Sequence, residues 1–378
     1  MYLEKISLIN YRNYESLSKN FSAQINLLVG ANAQGKTNIL EAIYYLAIGK
    51  AYRSARENQL IKWGNQHFKI SGEIKNKISR SNLEIIFQNE NQFNKGNKEI
   101  KINGIKIRRM ADFLGNLTAV LFAPEDLNIV KGSPLERRKL LDNDISQVNP
   151  GYFSQLQKYQ KILNQRNHLL KRMIGREKAL AELEIWNMQF LNMCEKIIQK
   201  RLQVVEKLTP LTRLMQRKLT GGQENLEFKY LFNRQQEIKN GYPIRDILIT
   251  EMEKVQKEEL LRGITLCGPH RDDLLFILNG INLKSYGSQG QHRTAVLAIK
   301  LAELEFFKGE SGEYPLLLLD DVLSELDQER RACLIKIIED KLIQCFITTT
   351  EDVQFLWKNK KNIASFYVEK GSLSLLNR

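Results

Sequence analysis

At 378 residues the chain is long enough for a sizeable core and more than one domain, and ordinary globular usage, 43% hydrophobic and 26% charged, excludes wholesale disorder. A formal net charge of +14 points to a polyanionic partner, nucleic acid before membrane, because the sequence has neither a basic amphipathic anchor nor an apolar run of membrane-spanning length. Cys194, Cys267, Cys333 and Cys345 are scattered without C-x-x-C spacing, which argues against a zinc site or a disulfide framework; with no signal-peptide pattern after Met1, a cytoplasmic protein is expected.

Residues 1 to 29 read as strands opening a sheet, with Leu3, Ile6 and Leu8 apolar and a turn at Asn10–Tyr14. The apolar run Ile25–Val29 is a buried strand that feeds Gly30-Ala31-Asn32-Ala33-Gln34-Gly35-Lys36-Thr37, which fits the P-loop pattern G-x-x-x-x-G-K-[ST] at every fixed position. Asn38–Leu46 then has helical spacing, so strand, loop and helix agree. Glycines let such a backbone wrap an oligophosphate with its N–H groups inward, and the following helix adds its positive end. Gly30 through Thr37 are therefore the candidate ATP-binding residues, with Lys36 against the β- and γ-phosphates and Thr37 holding Mg²⁺. The basic segment Gly49–Arg56 reads equally as a nucleotide or DNA contact and as a solvated loop.

Strand-like alternation runs from Phe68 to Phe122, with neighbouring antiparallel strands at His67–Ile74 and Leu83–Phe87 and an Asn103-Gly104 hairpin turn inside Ile100–Ile107. Asn89–Asn97 reads as a polar loop. This is a β-layer expected beside the nucleotide-binding sheet. Between 151 and 220 the chain turns helical: Tyr152, Leu156, Tyr159, Leu163, Leu170 and Met173 form one seam, broken at Arg166, and Leu183, Trp186, Phe190, Met193 and Ile197 form a second after a turn near Gly175. The stretch holds 14 Lys or Arg against 5 Asp or Glu, so a helical arm with a DNA-backbone contact face is expected, each single lysine being more simply a solvated one. A strand at Leu226–Phe232 and a mixed-charge helix at Ile244–Leu261 precede a return to strand pattern at Leu274–Leu278.

Four leucines, Leu316–Leu319, run into Asp320-Asp321, the pattern of a doubly buried parallel strand emerging with acids at its carboxyl end, where α/β ligands bind. Alone, the acids could simply cap a strand. Paired with the P-loop, Asp320 is the second Mg²⁺ candidate and Asp321 a general base for the attacking water. Tyr286-Gly287-Ser288-Gln289-Gly290-Gln291 opens a helix through Ala302, a further anion-binding geometry with Ser288 as a donor, and Ser324-Glu325-Leu326-Asp327 follows the acidic pair.

The Ser288 and Ser324 segments resemble the signature motif and D-loop of ABC-type ATPases, with Gln289 in place of the usual first glycine. In that family the signature motif of one protomer closes on the γ-phosphate held by the other, so the resemblance makes Ser288 a catalytic residue supplied across an ATP-dependent homodimer. Within it the chain resembles the RecF family, on Tyr11–Tyr14, Ala51–Ser54, the string Pro124–Asp142, Gly268–Leu274 and Asp320–Asp327. The resemblance implies an ABC-type head over 1–122 and 262–378, an α/β fold with an adjoining antiparallel β-layer, and an inserted helical, coiled-coil-like arm over 123–261. It also implies binding to single-stranded, double-stranded and gapped DNA, RecR and RecO partners in recombinase loading, and weak DNA-dependent ATP hydrolysis as a release switch. Threonine stands where transporters carry a switch histidine, within Gln344–Thr350, and the Q-loop is placed near Phe122–Glu125.

Other readings fit less well. A transporter ATPase matches the basic arm poorly, an SMC chromosome protein needs a far longer coiled coil, and a nuclease fusion needs a further acidic metal cluster. An ATP-binding scaffold without meaningful hydrolysis differs only in whether Asp321 matters.

Overall fold

The computed structural model describes residues 1–376 except 54–55, 78, 91–94, 175–179, 352, 354–355 and 358–362. Two compact units divide it, Met1–Asp126 with Leu297–Arg378, and Leu127–Val296. No helix among the described residues is long and apolar enough to cross a membrane.

The first unit holds two sheets. Strands β1 (Tyr2–Tyr11), β2 (Tyr14–Asn20), β4 (His67–Lys75), β5 (Arg80–Glu90), β6 (Lys95–Ile102) and β7 (Ile105–Lys106) form an antiparallel layer in the order β2-β1-β4-β5-β6-β7. A register shift between Leu3 and Lys5 lets Leu3, Ile6 and Leu8 all turn inward despite their uneven spacing. The polar loop expected over Asn89–Asn97 is shorter than that: Asn89 pairs with Gly96 and Glu90 with Lys95, because cross-strand pairing continues past the last apolar residue, and 91–94 lie outside the described residues.

Strands β3 (Ile25–Val29), β8 (Ala119–Phe122), β13 (Leu316–Asp320), β14 (Cys345–Thr349), β15 (Ile363–Glu369) and β16 (Ser372–Leu375) form the second sheet, in the order β16-β15-β3-β14-β13-β8. Apart from the β15–β16 hairpin its pairs are parallel. β3, β13 and β14 are buried along their whole length, which is why they read as unbroken apolar runs. The P-loop helix, Lys36–Ile48, joins one core with both sheets: Ile39, Ile43 and Leu46 share it with Leu8, Phe68 and Ile70 of the antiparallel layer and Leu316, Leu318 and Phe346 of the parallel strands.

The second unit contains helices Pro134–Val148, Pro150–Met173, Leu180–Leu219 and Ile244–Arg262 and a sheet ordered β10-β9-β11-β12, with β9 at Leu226–Phe232, β10 at Gln236–Glu237, β11 at Asp273–Leu278 and β12 at Ile281–Asn282. It runs on to Val296, past the expected limit at 261, because β11 pairs antiparallel with β9 from Asp273↔Leu231 to Leu278↔Leu226. The turn expected near Gly175 lies outside the described residues. In the two long helices Tyr159, Leu163, Leu170, Leu183, Phe190 and Ile197 are buried as expected of a seam, whereas Trp186 and Met193 are half-buried. Arg166, the break in the seam, is buried: its guanidinium donates to Glu259 Oε2 (2.6 Å), Thr265 Oγ1 (2.7 Å) and Asn187 Oδ1 (2.8 Å). A charge sits there because its partners are built into the same interior.

Candidate functional site

The loop after β3 is shaped by close approaches. A Cβ on Gly30 would lie 2.4 Å from the carbonyl oxygen of Val368. Gly35 has φ +110°, and a Cβ there would lie 2.4 Å from Asn13 Nδ2, so both positions require glycine. Asn13 braces the loop, donating to Gln34 O (3.0 Å) and accepting from Asn38 Nδ2 (2.8 Å), while the Tyr14 hydroxyl donates to Gly35 O (3.0 Å). From the far end of the chain the Lys370 N–H donates to Gln34 Oε1 (2.8 Å). Arg12 grips buried Glu41 of the P-loop helix with two bonds of 2.8 and 2.9 Å. The Tyr11–Tyr14 motif thus has a physical role: it fixes loop and helix against β1.

The P-loop helix begins with neither a capping side chain nor an acid in its first turn, which leaves its positive end for a ligand. Lys36 is buried at its start and donates to Gly30 O (2.6 Å) and Ala31 O (2.8 Å). Burial lowers its pKa, opposed by the carboxylates of Asp321 and Asp320. Thr37 Oγ1 donates to Asp320 Oδ1 at 2.8 Å.

Asp320 is brought there by strand order. β14 lies between β3 and β13, and its register sets Thr348 beside Asp320, so Thr348 Oγ1 donates to the same Oδ1 at 2.8 Å. Thr348 Oγ1 also accepts from the Asp321 N–H (2.9 Å). Arg53 donates to the other Asp320 oxygen at 2.7 Å and pairs with Glu125 at 3.0 Å. Glu125, from the expected Q-loop, therefore reaches the acidic pair through Arg53 and not directly. Asp321 has a left-handed backbone (φ 53°), and its carboxylate accepts from Ser324 Oγ (3.0 Å). Asp327 caps the helix Gln328–Lys341 through the Arg330 N–H (2.9 Å).

Lys36, Thr37, Asp320 and Asp321 thus gather at the carboxyl ends of β3 and β13. Ser288 lies in the second unit, exposed at the start of the helix Gln289–Ser311, where its Oγ accepts from the Gln291 N–H (3.2 Å) and its N–H donates to Gln291 Oε1 (2.9 Å). Thr348 as an Asp320 partner was missed in the sequence, where it appeared only as the absence of a histidine; the pairing of β13 with β14 is the signal that finds it. Arg53 stands in the sequence within the basic segment Gly49–Arg56 and the family motif Ala51–Ser54, with no role toward Asp320 assigned to it; its neighbours Ser54 and Ala55 lie outside the described residues.

Chemically, the P-loop with Lys36 suits an oligophosphate, and the Thr37 hydroxyl with the Asp320 carboxylate is a hard oxygen pair suited to Mg²⁺. A phosphate-binding loop leaving the interior of a mostly parallel sheet, acids on β13 two places away and an antiparallel layer on the same core define an ABC-type ATPase head. Residues 2–374 match the family of the RecF/RecN/SMC N-terminal domain. The DNA replication and repair protein RecF of Bacillus cytotoxicus is 40% identical over 374 residues, covering 99% of this chain and 98% of that protein. The same-named protein of Alkaliphilus oremlandii is 41% identical over 374 residues, covering 99% and 100%. A solved structure of the recombination mediator protein RecF with ATP, described within the RecFOR pathway, matches with a TM-score of 0.90 at 35% identity, over 100% of this chain and 98% of that one. An Smc head domain from Pyrococcus furiosus matches with a TM-score of 0.55 at 18% identity, over 99% and 96%, a likeness of fold. The chain belongs to the RecF family.

Proposed function

We propose that this chain is an ATP-switched DNA-binding protein of replication and recombinational repair, acting in the cytoplasm. The meeting of Thr37, Asp320 and Thr348 through two 2.8 Å bonds at the mouth of a glycine-shaped P-loop carries the ATPase half of this reading, and membership of the RecF family supports the repair half. Gly30 through Thr37 would wrap the phosphates of ATP with backbone N–H groups, and Lys36 would set its ammonium against the β- and γ-phosphates. Mg²⁺ at Thr37 and Asp320 would offset phosphate charge. Thr348 and Arg53 hold the Asp320 carboxylate in place. Asp321 would orient or deprotonate the attacking water, its N–H anchored on Thr348.

Ser288, exposed at a helix start, is suited to close on the nucleotide of a second copy, so ATP would join two chains and slow hydrolysis would release them. DNA, single-stranded, double-stranded or gapped, is the partner that the +14 charge supports. The relative's description within the RecFOR pathway supports RecO and RecR as further partners in recombinase loading.

Sedimentation mass with Mg²⁺ alone, with ADP, with ATP, and with ATP and gapped DNA tests this. A dimer is expected with ATP alone among the nucleotides, strengthened by DNA, and absent in Ser288→Arg, which still binds ATP. A chain that stays monomeric throughout removes the role of Ser288. A second reading, an ATP-binding scaffold without meaningful hydrolysis, draws on the hydrogen bond that Ser324 places on the Asp321 carboxylate. Equal, negligible turnover in the native chain and Asp321→Asn would favour it.

A further inference from the structure

Within the second unit, the paired helices Pro150–Met173 and Leu180–Leu219 leave a groove of about 650 Å³ on their surface. Ile162, Trp186 and Met193 give it an apolar floor, and Lys158, Lys161 and Lys196 stand on its rim. Trp186 and Met193 have the spacing of seam residues, yet the core closes without burying them: Leu183, Phe190, Cys194 and Ile197 fill it instead. Beside the floor, on the outer side of the same helix, Ile185 and Met188 are 59% and 62% exposed. The apolar strip is thus wider than the helix pair itself uses.

The rim is electrically unfinished. Lys158, Lys161 and Lys196 are exposed and, among the described residues, none has a carboxylate partner. Glu195, which also lines the groove, is held by Arg245 at 3.0 Å. Three like charges around an apolar floor call for an occupant that is both apolar and acidic. The walls, Lys158–Gln165 on one helix and Trp186–Lys196 on the other, run about 10 and 15 Å, two to three turns of a third helix. A docked amphipathic helix presents apolar residues at i, i+3, i+4 and i+7 to such a floor and its flanks to the rim. Nucleic acid fits less well, because an isoleucine and a methionine offer bases no stacking face and Trp186 packs against Leu169, Leu170, Met173 and Leu183.

We propose that this groove receives an acidic amphipathic helix from a partner protein. The full chain, panned against displayed random peptides of about 16 residues, long enough for such a helix, gives the test. The expected enrichment is for net-negative peptides with large apolar residues at helical spacing. The selected peptide, labelled for fluorescence anisotropy, should bind the triple variant Lys158→Glu/Lys161→Glu/Lys196→Glu at least about tenfold more weakly, as three rim charges of modest individual worth imply. The corresponding Lys→Gln variant should fall between, with ATP affinity and urea midpoint unchanged in both. No enrichment, enrichment without the acidic and apolar pattern, or equal binding to native and triple-Glu chains overturns the proposal. Displacement of the peptide by single-stranded oligothymidylate, itself bound more weakly by the triple-Glu variant, assigns the groove to nucleic acid and overturns it too.

Discussion

In the second unit the buried cations Arg137, Arg166 and Arg201 each end on a carboxylate, those of Asp273, Glu259 and Asp142 at 2.7, 2.6 and 2.8 Å. In the first, buried Asp320 collects two hydroxyls and one guanidinium, all arriving at the open end of a sheet. The former pairs close upon themselves and lock elements together; the latter is a convergence of donors on an acid that stands beside a phosphate-binding loop. Buried charge by itself therefore does not mark a site. What distinguishes one is whether its partners are exhausted inside the fold.

Breaking one closed pair should have the largest effect. Arg166→Met leaves Glu259 buried without its cation and should cost about 3–5 kcal/mol in urea denaturation, while Arg166→Met/Glu259→Leu should recover most of that. A double variant as unstable as the single one would mean that the lost bonds to Asn187 and Thr265, and not the charge, dominate. At the open site the pattern should invert: Lys36→Ala should lower ATP turnover by about 10²–10³ with little change in urea midpoint. Thr348→Val removes one of the donors to Asp320 and should weaken Mg²⁺-dependent ATP binding about tenfold, read by Mg²⁺ titration; an unchanged midpoint of that titration would reduce Thr348 to packing.

An effect of similar size to the last concerns pH in the closed unit. His270 is pushed down from 6.5 to about 4, first by burial, and bonds through Nδ1 to the Tyr159 hydroxyl at 2.5 Å. A depressed histidine pKa contributes stability that is present above the unfolded value and lost as pH falls through the folded one. The stability difference between native chain and His270→Gln should therefore shrink by about 1–2 kcal/mol between pH 6.5 and 4. A difference independent of pH would show that the ring titrates alike in the folded and unfolded states.

How much of this was legible depends on where the information lies along the chain. The P-loop and the acids at 320 and 321 were, because loop chemistry needs fixed local spacing and a strand buried on both faces leaves an unbroken apolar run. Thr348 was not, since its role exists only once β14 is laid beside β13 in one register. The segments Pro124–Asp142 and Gly268–Leu274, both marks of the family, meet inside the second unit: Arg137 holds Asp273, and Arg138 donates to Asp272 O at 2.6 Å. Their specificity reflects a fitted interior more than a reaction. The helical seam was legible as helix and, for most of its residues, as interior; its edge was not, because a spacing of threes and fours describes a stripe broad enough to include the half-buried Leu156, Trp186 and Met193. The limit drawn at 261 failed for the same reason as Thr348: composition changes where helix gives way to strand, but membership of a unit follows pairing, and β11 belongs with β9.

Strand β3 is completed by neighbours that are made last. It ends at Val29, but it pairs with β14, which starts at Cys345, and with β15, which starts at Ile363. During synthesis the P-loop strand therefore leaves the ribosome more than three hundred residues before either neighbour exists. At about 5–20 residues per second it spends roughly 15–60 s as an unpaired apolar segment. Lys370, whose N–H braces Gln34, is later still. The nascent chain cannot carry a finished nucleotide site, and any truncated product ending before β14 would expose Ile25–Val29 to chaperones and proteases instead of to ATP.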